Sequence, residues 1–413
     1  MPEMIRREAG PRPAGRRPAR LISVLVAMIV RNPRMLMARP AVSAALLGYL
    51  RKFKPRRVDG QIFIHSHLPA VNSKAYSRFI EEHLLGKCPG PSHAQVAVTN
   101  ACPQRCAYCY NRHRRGQPMD LPTLRKTIAE LKAMGVFWLG WTGGEPLLRP
   151  DLVALTEEAA PGCTVKLFTT GLGLTAPLAR DLRAAGLSSV SVSLDHWTAD
   201  VHDRVRGYPG AFQAAMNAIG LFQSAGLHVG VSAVLTREMI RNGEAETFLD
   251  FLRRLGLDEA WLSEAKPTLQ AFWKPECIVS DSERRTLIEM QDRANRKRGM
   301  TVNYLGHFED AAHFGCNAGG KMIYVDAFGE VSPCVFAPMT FGNVQTESLG
   351  KIAAEMRASF APDSACFVNA NYPLFAKHYA GRIPLSPLES RSLMGDVRFG
   401  RPGRYRHLIE GSQ

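Results

Sequence analysis

Thr99-Asn100-Ala101-Cys102-Pro103-Gln104-Arg105-Cys106-Ala107-Tyr108-Cys109-Tyr110 is the stretch on which the reading of this chain turns. Its three thiols follow directly on Gln95–Val98, an apolar run of strand length. Thiolates set this closely can hold three irons of one [4Fe–4S] cube and leave the fourth iron open. A structural zinc site is the plainer alternative, but zinc wants four ligands. His113 is the residue that would complete such a set.

Downstream, strands and helices alternate. After Gln95–Val98 the candidate strands are Val136–Trp141, Thr164–Thr169, Ser189–Leu194, Val229–Leu235 and Glu259–Ser263, with helix-length amphipathic segments such as Leu121–Met134 and Ala211–Ala225 between them. This rhythm predicts an α/β fold with a parallel sheet of six strands and right-handed crossovers, open or curled into a partial barrel. In such folds ligand sites collect at the carboxyl ends of strands. Thr142-Gly143-Gly144-Glu145-Pro146 ends the second strand, where glycines let backbone approach a ligand and a carboxylate can accept from an ammonium. Ser193 and Asp195 end the fourth, and Arg204 and Arg206 follow. Read plainly, these are a turn, a helix cap and surface ion pairs.

The Cys-x3-Cys-x2-Cys spacing, the aromatic before the last cysteine and the Gly-Gly-Glu-Pro at the end of the next strand resemble the signature of the radical S-adenosylmethionine superfamily. The resemblance implies a partial (β/α)6 TIM-like barrel with a [4Fe–4S] cluster on Cys102, Cys106 and Cys109. It places the methionine amine at Gly143, Gly144 and Glu145, the adenine near Tyr108, the ribose on Ser193, and the carboxylate near Arg204, with Arg206 as the other candidate. Fed by a reductant such as flavodoxin or ferredoxin, such an enzyme cleaves S-adenosylmethionine to a 5′-deoxyadenosyl radical.

After Lys266 the rhythm changes. Ser280 and Glu283 form a capping box that starts a helix running to Gly299, and a short strand near Thr301–Leu305 follows. Cys316 and Cys334 then bracket a hairpin turning near Ala327–Glu330, and Cys366 can join them. This spacing resembles the SPASM auxiliary-cluster domain or its shorter twitch form. Since Cys366 stands alone where a full SPASM pattern has a run of cysteines, a twitch-like domain with one auxiliary [4Fe–4S] cluster is expected. Its ligands are Cys316, Cys334 and Cys366, with Cys277 or an open iron as the fourth position. Cys88 and Cys163 read as structural thiols. The implied organisation is an arm over 1–58, a connecting segment over 59–91, a core over 92–265, the auxiliary domain over 266–382 and a tail over 383–413.

Charge singles out the arm. Residues 1–58 hold fourteen Arg or Lys against Glu3 and Glu8, so twelve of the fifteen net positive charges sit there. Its apolar runs, Leu21–Val30 and Met35–Leu50, fall short of the ~20 residues needed to span a bilayer. They suit helices lying in an anionic membrane interface, or equally helices packed on the body. A secretory signal ranks behind both, because export would carry cluster cysteines into an oxidising compartment. Basic residues interleaved with Leu, Ile, Val and Met rather than aromatics argue against nucleic acid as a partner. The expectation is a cytoplasmic enzyme, or one peripheral on the inner face of the membrane, that takes hydrogen from an apolar or membrane-associated substrate. Modification of a ribosomal peptide or a sugar-containing natural product stands second, and a nucleic-acid-binding protein with a structural cluster third.

Overall fold

Alternation along the strands decides the architecture. In β1 (His93–Thr99), Ala94, Val96 and Val98 enter the main core while Gln95 faces the interior cavity. A residue period of two sends alternate side chains to opposite faces. The helix Leu121–Ala133 supplies the complementary period: Leu124, Thr127, Ile128 and Leu131 form its buried stripe, and the Asp120 carboxylate caps its first turn by accepting from Thr123 N at 2.9 Å.

The computed structural model describes residues 16–37, 40–86 and 88–404. Arg6, Arg7, Arg12 and Arg39 of the expected basic arm, and the tail beyond 404, lie outside the described residues. After β1 come β2 (Trp138–Gly143), β3 (Thr164–Thr169), β4 (Leu187–Ser193), β5 (His228–Leu235) and β6 (Glu259–Glu264), all parallel. The sheet does not stop at six strands. β7 (Thr301–Tyr304) pairs parallel with β6, and β8 (Met322–Val325) pairs parallel with β1 at the opposite edge. β9 (Glu330–Ser332) and β10 (Gly342–Asn343) extend that edge as antiparallel strands. The hairpin carrying the second cysteine group is therefore built onto the barrel sheet, and residue 265 marks no break in it.

The segment 59–91 is a plug rather than a linker. Ser66 donates its backbone N–H to Glu259 Oε2 at 3.0 Å, and its carbonyl accepts from Trp138 Nε1 at 2.7 Å. Buried Lys166 lies 3.6 Å from Glu259. His65 and His67 stack among Trp138, Trp261 and Phe308.

The arm packs on this plug. α1 (Leu21–Arg31) and α2 (Pro40–Leu50) bury Val24, Met28, Val42, Tyr49 and Leu50 against Ile62, Ile64, Tyr76 and Ile80. Three short strands, Arg17–Pro18, Arg56–Val58 and Gln61–Phe63, form a small antiparallel sheet beneath them. Several arm cations serve the body: Arg16 and Arg56 pair with buried Asp258, and Lys54 Nζ donates to the carbonyls of Ala294 and Met300. The outer face of α1 differs. Ile22, Val26 and Val30 are 76, 54 and 71% exposed, as is Leu36 at 72%. No helix among the described residues is long and apolar enough to cross a membrane.

Candidate functional site

One cavity of about 650 Å³ opens at the carboxyl ends of the strands and runs down to the arm. Cys102, Cys106 and Cys109 line it, and so do Cys316, Cys334 and Cys366.

The first thiols are set by backbone contact between two loops. Gly144 N donates to Thr99 O and Glu145 N to Ala101 O, each at 2.8 Å. A Cβ on Gly143 would lie 2.1 Å from Thr99 O, and one on Gly144 2.2 Å from Ala101 O. What these glycines admit here is the cysteine loop itself. Glu145 stands behind them, fully buried, and is not in the cavity wall. Its carboxylate accepts from Thr169 Oγ1 at 2.6 Å, Thr170 N at 2.6 Å and Leu147 N at 3.0 Å. Burial raises its pKa against these hydrogen bonds. The expected acceptor of the methionine amine thus joins the ends of β2 and β3.

The structure also separates the two arginine candidates. On the helix Ala199–Arg206, the buried positions are His202 and Arg206, one turn apart, while Arg204 sits on the solvent side, away from the cavity. Arg206 lines the cavity, pairs with Asp195 at 2.8 Å, and lies over the Tyr108 ring and 3.9 Å from Cys106 Sγ. Tyr108 donates its hydroxyl to Asp195, whose other oxygen accepts from Val234 N at 2.9 Å. Ser193 faces the same cavity. Burial pushes the Cys102 thiol up to about 11 and raises Cys106, which Arg206 partly offsets. His113 is exposed and outside the cavity, so the fourth ligand of a zinc reading is missing.

The second group is assembled by the β8–β9 hairpin and the helix Phe367–His378. Cys316 N donates to Asp363 O at 2.7 Å, and Phe367 N donates to Cys316 Sγ at 3.5 Å, which sets Cys366, the cap of that helix, beside Cys316. Cys366 is buried and Cys316 and Cys334 are half-buried, and desolvation pushes all three thiols up to about 12. Cys277 sits outside the cavity, its thiol directed at Ala271 O. Cys88 and Cys163 also lie outside it, with Cys163 Sγ 3.1 Å from Val136 O. Lys266, Glu264 and Glu309 complete the wall beside the second group, and nothing in the sequence pattern marked them. Arg114, from the end of the first loop, forms a buried pair with Asp326 at the hairpin turn at 2.9 Å, tying the two thiol groups together.

Both sets fit iron–sulfur clusters: each brings three thiols to a single cavity wall, and thiolates are the usual protein ligands of such clusters. Raised thiol pKa values mean that loading a metal releases protons.

Comparison with known proteins agrees. Residues 96–255 match the family profile described as the radical SAM superfamily, and residues 316–370 that of an iron–sulfur cluster-binding domain, SPASM. PqqA peptide cyclase of Ruegeria pomeroyi is 36% identical over 153 residues, 36% of this chain but only 41% of that protein. AdoMet-dependent heme synthase of Methanosarcina barkeri is 26% identical over 280 residues, covering 62% of this chain and 80% of that one. Among solved structures, Streptococcus suis SuiB bound to precursor peptide SuiA shares the fold with a TM-score of 0.54 at 15% identity, over 73% of this chain and 76% of that chain.

Proposed function

We propose, from the premise that this chain belongs to the radical S-adenosylmethionine superfamily and carries a SPASM-type iron–sulfur domain, that it abstracts hydrogen from an apolar molecule drawn from a membrane surface. The observation that carries this reading is the composition of the cavity wall. Below the cysteines it is made by Ile64, Leu68, Phe79, Phe168, Trp261 and Phe308, and the arm adds Met28, Leu46, Tyr49 and Leu50. Apolar, aromatic-lined cavities of this size suit an apolar ligand oriented by a few polar groups.

When bound, the first cluster and S-adenosylmethionine supply the 5′-deoxyadenosyl radical. The chain's residues have the remaining tasks. Cys102, Cys106 and Cys109 would hold the cluster, and Arg206, steadied by Asp195, would offer a cation to the methionine carboxylate. Tyr108 and Ser193, which both line the cavity, are assigned to adenine and ribose. Gly143, Gly144 and Glu145 keep the strand-end backbone in register with the cysteine loop, and the aromatic wall excludes water that would quench a radical.

The outer face of α1 supports delivery from a bilayer. Ile22, Val26 and Val30 make an exposed apolar stripe along this helix, and exposed Arg31, Arg34 and Leu36 stand at its end and in the turn that follows, an arrangement that fits an anionic surface. Met28, on the opposite side of the same helix, lines the cavity.

Modification of a peptide is the second reading, favoured by the relationship to PqqA peptide cyclase. Another relative is a heme synthase, and heme is a large, mostly apolar macrocycle.

The test is deuterium transfer into 5′-deoxyadenosine from deuterated lipid extract and from deuterated peptide pools. Label from the lipid fraction is expected, and label from peptides alone would move the assignment to the second reading. Changing Ile22, Val26, Val30 and Leu36 together to Ser should release the protein from anionic vesicles while leaving the fold intact. Deleting residues 1–58 is a poorer test, because it would strip Val24, Met28, Tyr49 and Leu50 from a packed core.

A further inference from the structure

Three thiols converge at the auxiliary site, and an iron–sulfur cube has four irons to ligate. Cys88, Cys163 and Cys277 are the other cysteines apart from the first group, and all three stand outside this cavity. The fourth ligand must therefore be a group other than thiolate, or come from outside the chain.

We propose that Glu309 supplies it: this carboxylate occupies the open position of the auxiliary cluster held by Cys316, Cys334 and Cys366. Glu309 closes the short helix Leu305–Phe308 after β7 and lines the cavity beside these cysteines. Its carboxylate and the Cys366 thiol share one buried hydrogen-bond donor, the Lys266 ammonium, which sets the two groups side by side. Its side chain is 18% exposed, so it is neither sealed in the core nor free in solvent.

Neighbouring groups aim it. Lys266 Nζ, fully buried, donates to Glu309 Oε2 at 2.9 Å, to Glu264 Oε1 at 3.0 Å and to Cys366 Sγ at 3.4 Å. The ammonium thus ties the Glu309 carboxylate to one of the thiols. Oε1 of Glu309 accepts no hydrogen bond among the described residues, which leaves its lone pairs for iron. Asn369 Nδ2 holds Glu264 Oε1 at 3.1 Å, fixing the far side of the network. Lysine is an ammonium here and cannot ligate; its part is to orient the carboxylate and donate to the cysteine sulfur.

An oxygen ligand has consequences that a thiolate would not. Carboxylate is a harder donor than thiolate toward iron, so the fourth iron is electronically distinct and more readily exchanged. A substrate with its own donor could then displace Glu309 onto Lys266. The proposal needs only the cluster domain and is independent of which substrate is used.

The experiment uses the full chain with Cys102, Cys106 and Cys109 changed to Ala, loaded anaerobically with 57Fe, so that only the auxiliary cluster is read. Glu309→Gln, Glu309→Ala and Glu309→Cys are compared in this background by Mössbauer and EPR spectroscopy, midpoint potential and iron loss to a chelator. A distinct fourth-iron subsite is expected with Glu309, merging with the other three in Glu309→Cys, whose potential should also fall. In Glu309→Ala the fourth iron should be lost at least about tenfold faster, the scale already reached on losing partners outside the ligand shell. Glu309→Gln keeps the shape and controls for folding. A subsite that persists unchanged in all three variants overturns the proposal, as does a Glu309→Cys protein unable to hold a cluster that the Gln variant retains.

Discussion

Arg204 and Arg206 are two residues apart in sequence and lie on opposite sides of one helix. At 100° per residue a shift of two positions carries a side chain across the helix, whereas His202 and Arg206, four apart, share a face. Arg206→Ala should leave the buried Asp195 carboxylate without its guanidinium, at about 3–5 kcal/mol of stability, and weaken S-adenosylmethionine binding. Arg204→Ala should change stability by no more than about 0.5 kcal/mol. Guanidinium denaturation and equilibrium dialysis read both. Glu145 poses the same kind of question. If its part is to join strand ends, Glu145→Gln should cost about 1–3 kcal/mol and lower the melting temperature together with cofactor affinity. Affinity lost at an unchanged melting temperature would mean that the carboxylate touches the cofactor directly.

Between elements, the strand-end glycines fit tightly against the cysteine loop. A methyl group at Gly144 would meet Ala101 O at 2.2 Å with no flexible side chain to give way. Gly144→Ala should therefore displace the loop while the barrel, buried elsewhere, stays folded. Iron per chain should drop from about eight to about four, the auxiliary cluster alone surviving, with an unchanged far-UV CD spectrum. The Arg114–Asp326 pair works in the other direction, fastening the hairpin to the same loop. As a pairing it is invisible in the sequence, because 212 positions separate the partners.

For the molecule as a whole, acid is the expected weakness. Burial holds His65 at about 3 and His202 at about 4, both well below an ordinary imidazole. Between the ordinary value near 6.5 and these folded values, the unfolded chain binds protons that the folded chain refuses, so stability falls as pH falls through that window. The two groups together should cost about 3 kcal/mol between pH 6.5 and 5. Denaturation midpoints measured across that range check it, and His65→Gln should flatten the slope.

Local pattern alone is enough to bring the barrel and the cysteine sites into view. A residue period of two in strands, 3.6 in helices and glycines beside closely spaced thiols are short-range signals, set by backbone geometry and ligand chemistry. They mark each of the six core strands to within two residues, and together with the family resemblance they single out Cys102, Cys106, Cys109, Cys316, Cys334 and Cys366, all of which line the cavity. What short range could not carry were choices made by packing between distant segments. Whether Thr301–Tyr304 and Met322–Val325 would pair with the barrel depended on free sheet edges. Whether Arg204 or Arg206 would face the cavity depended on which side of a helix met the core. Whether arm cations would meet lipid or Asp258, and which carboxylate would stand beside the auxiliary thiols, depended on chain brought together from distant parts of the sequence. Those contacts exist only once the apolar faces have been buried, and burial is a property of the folded whole.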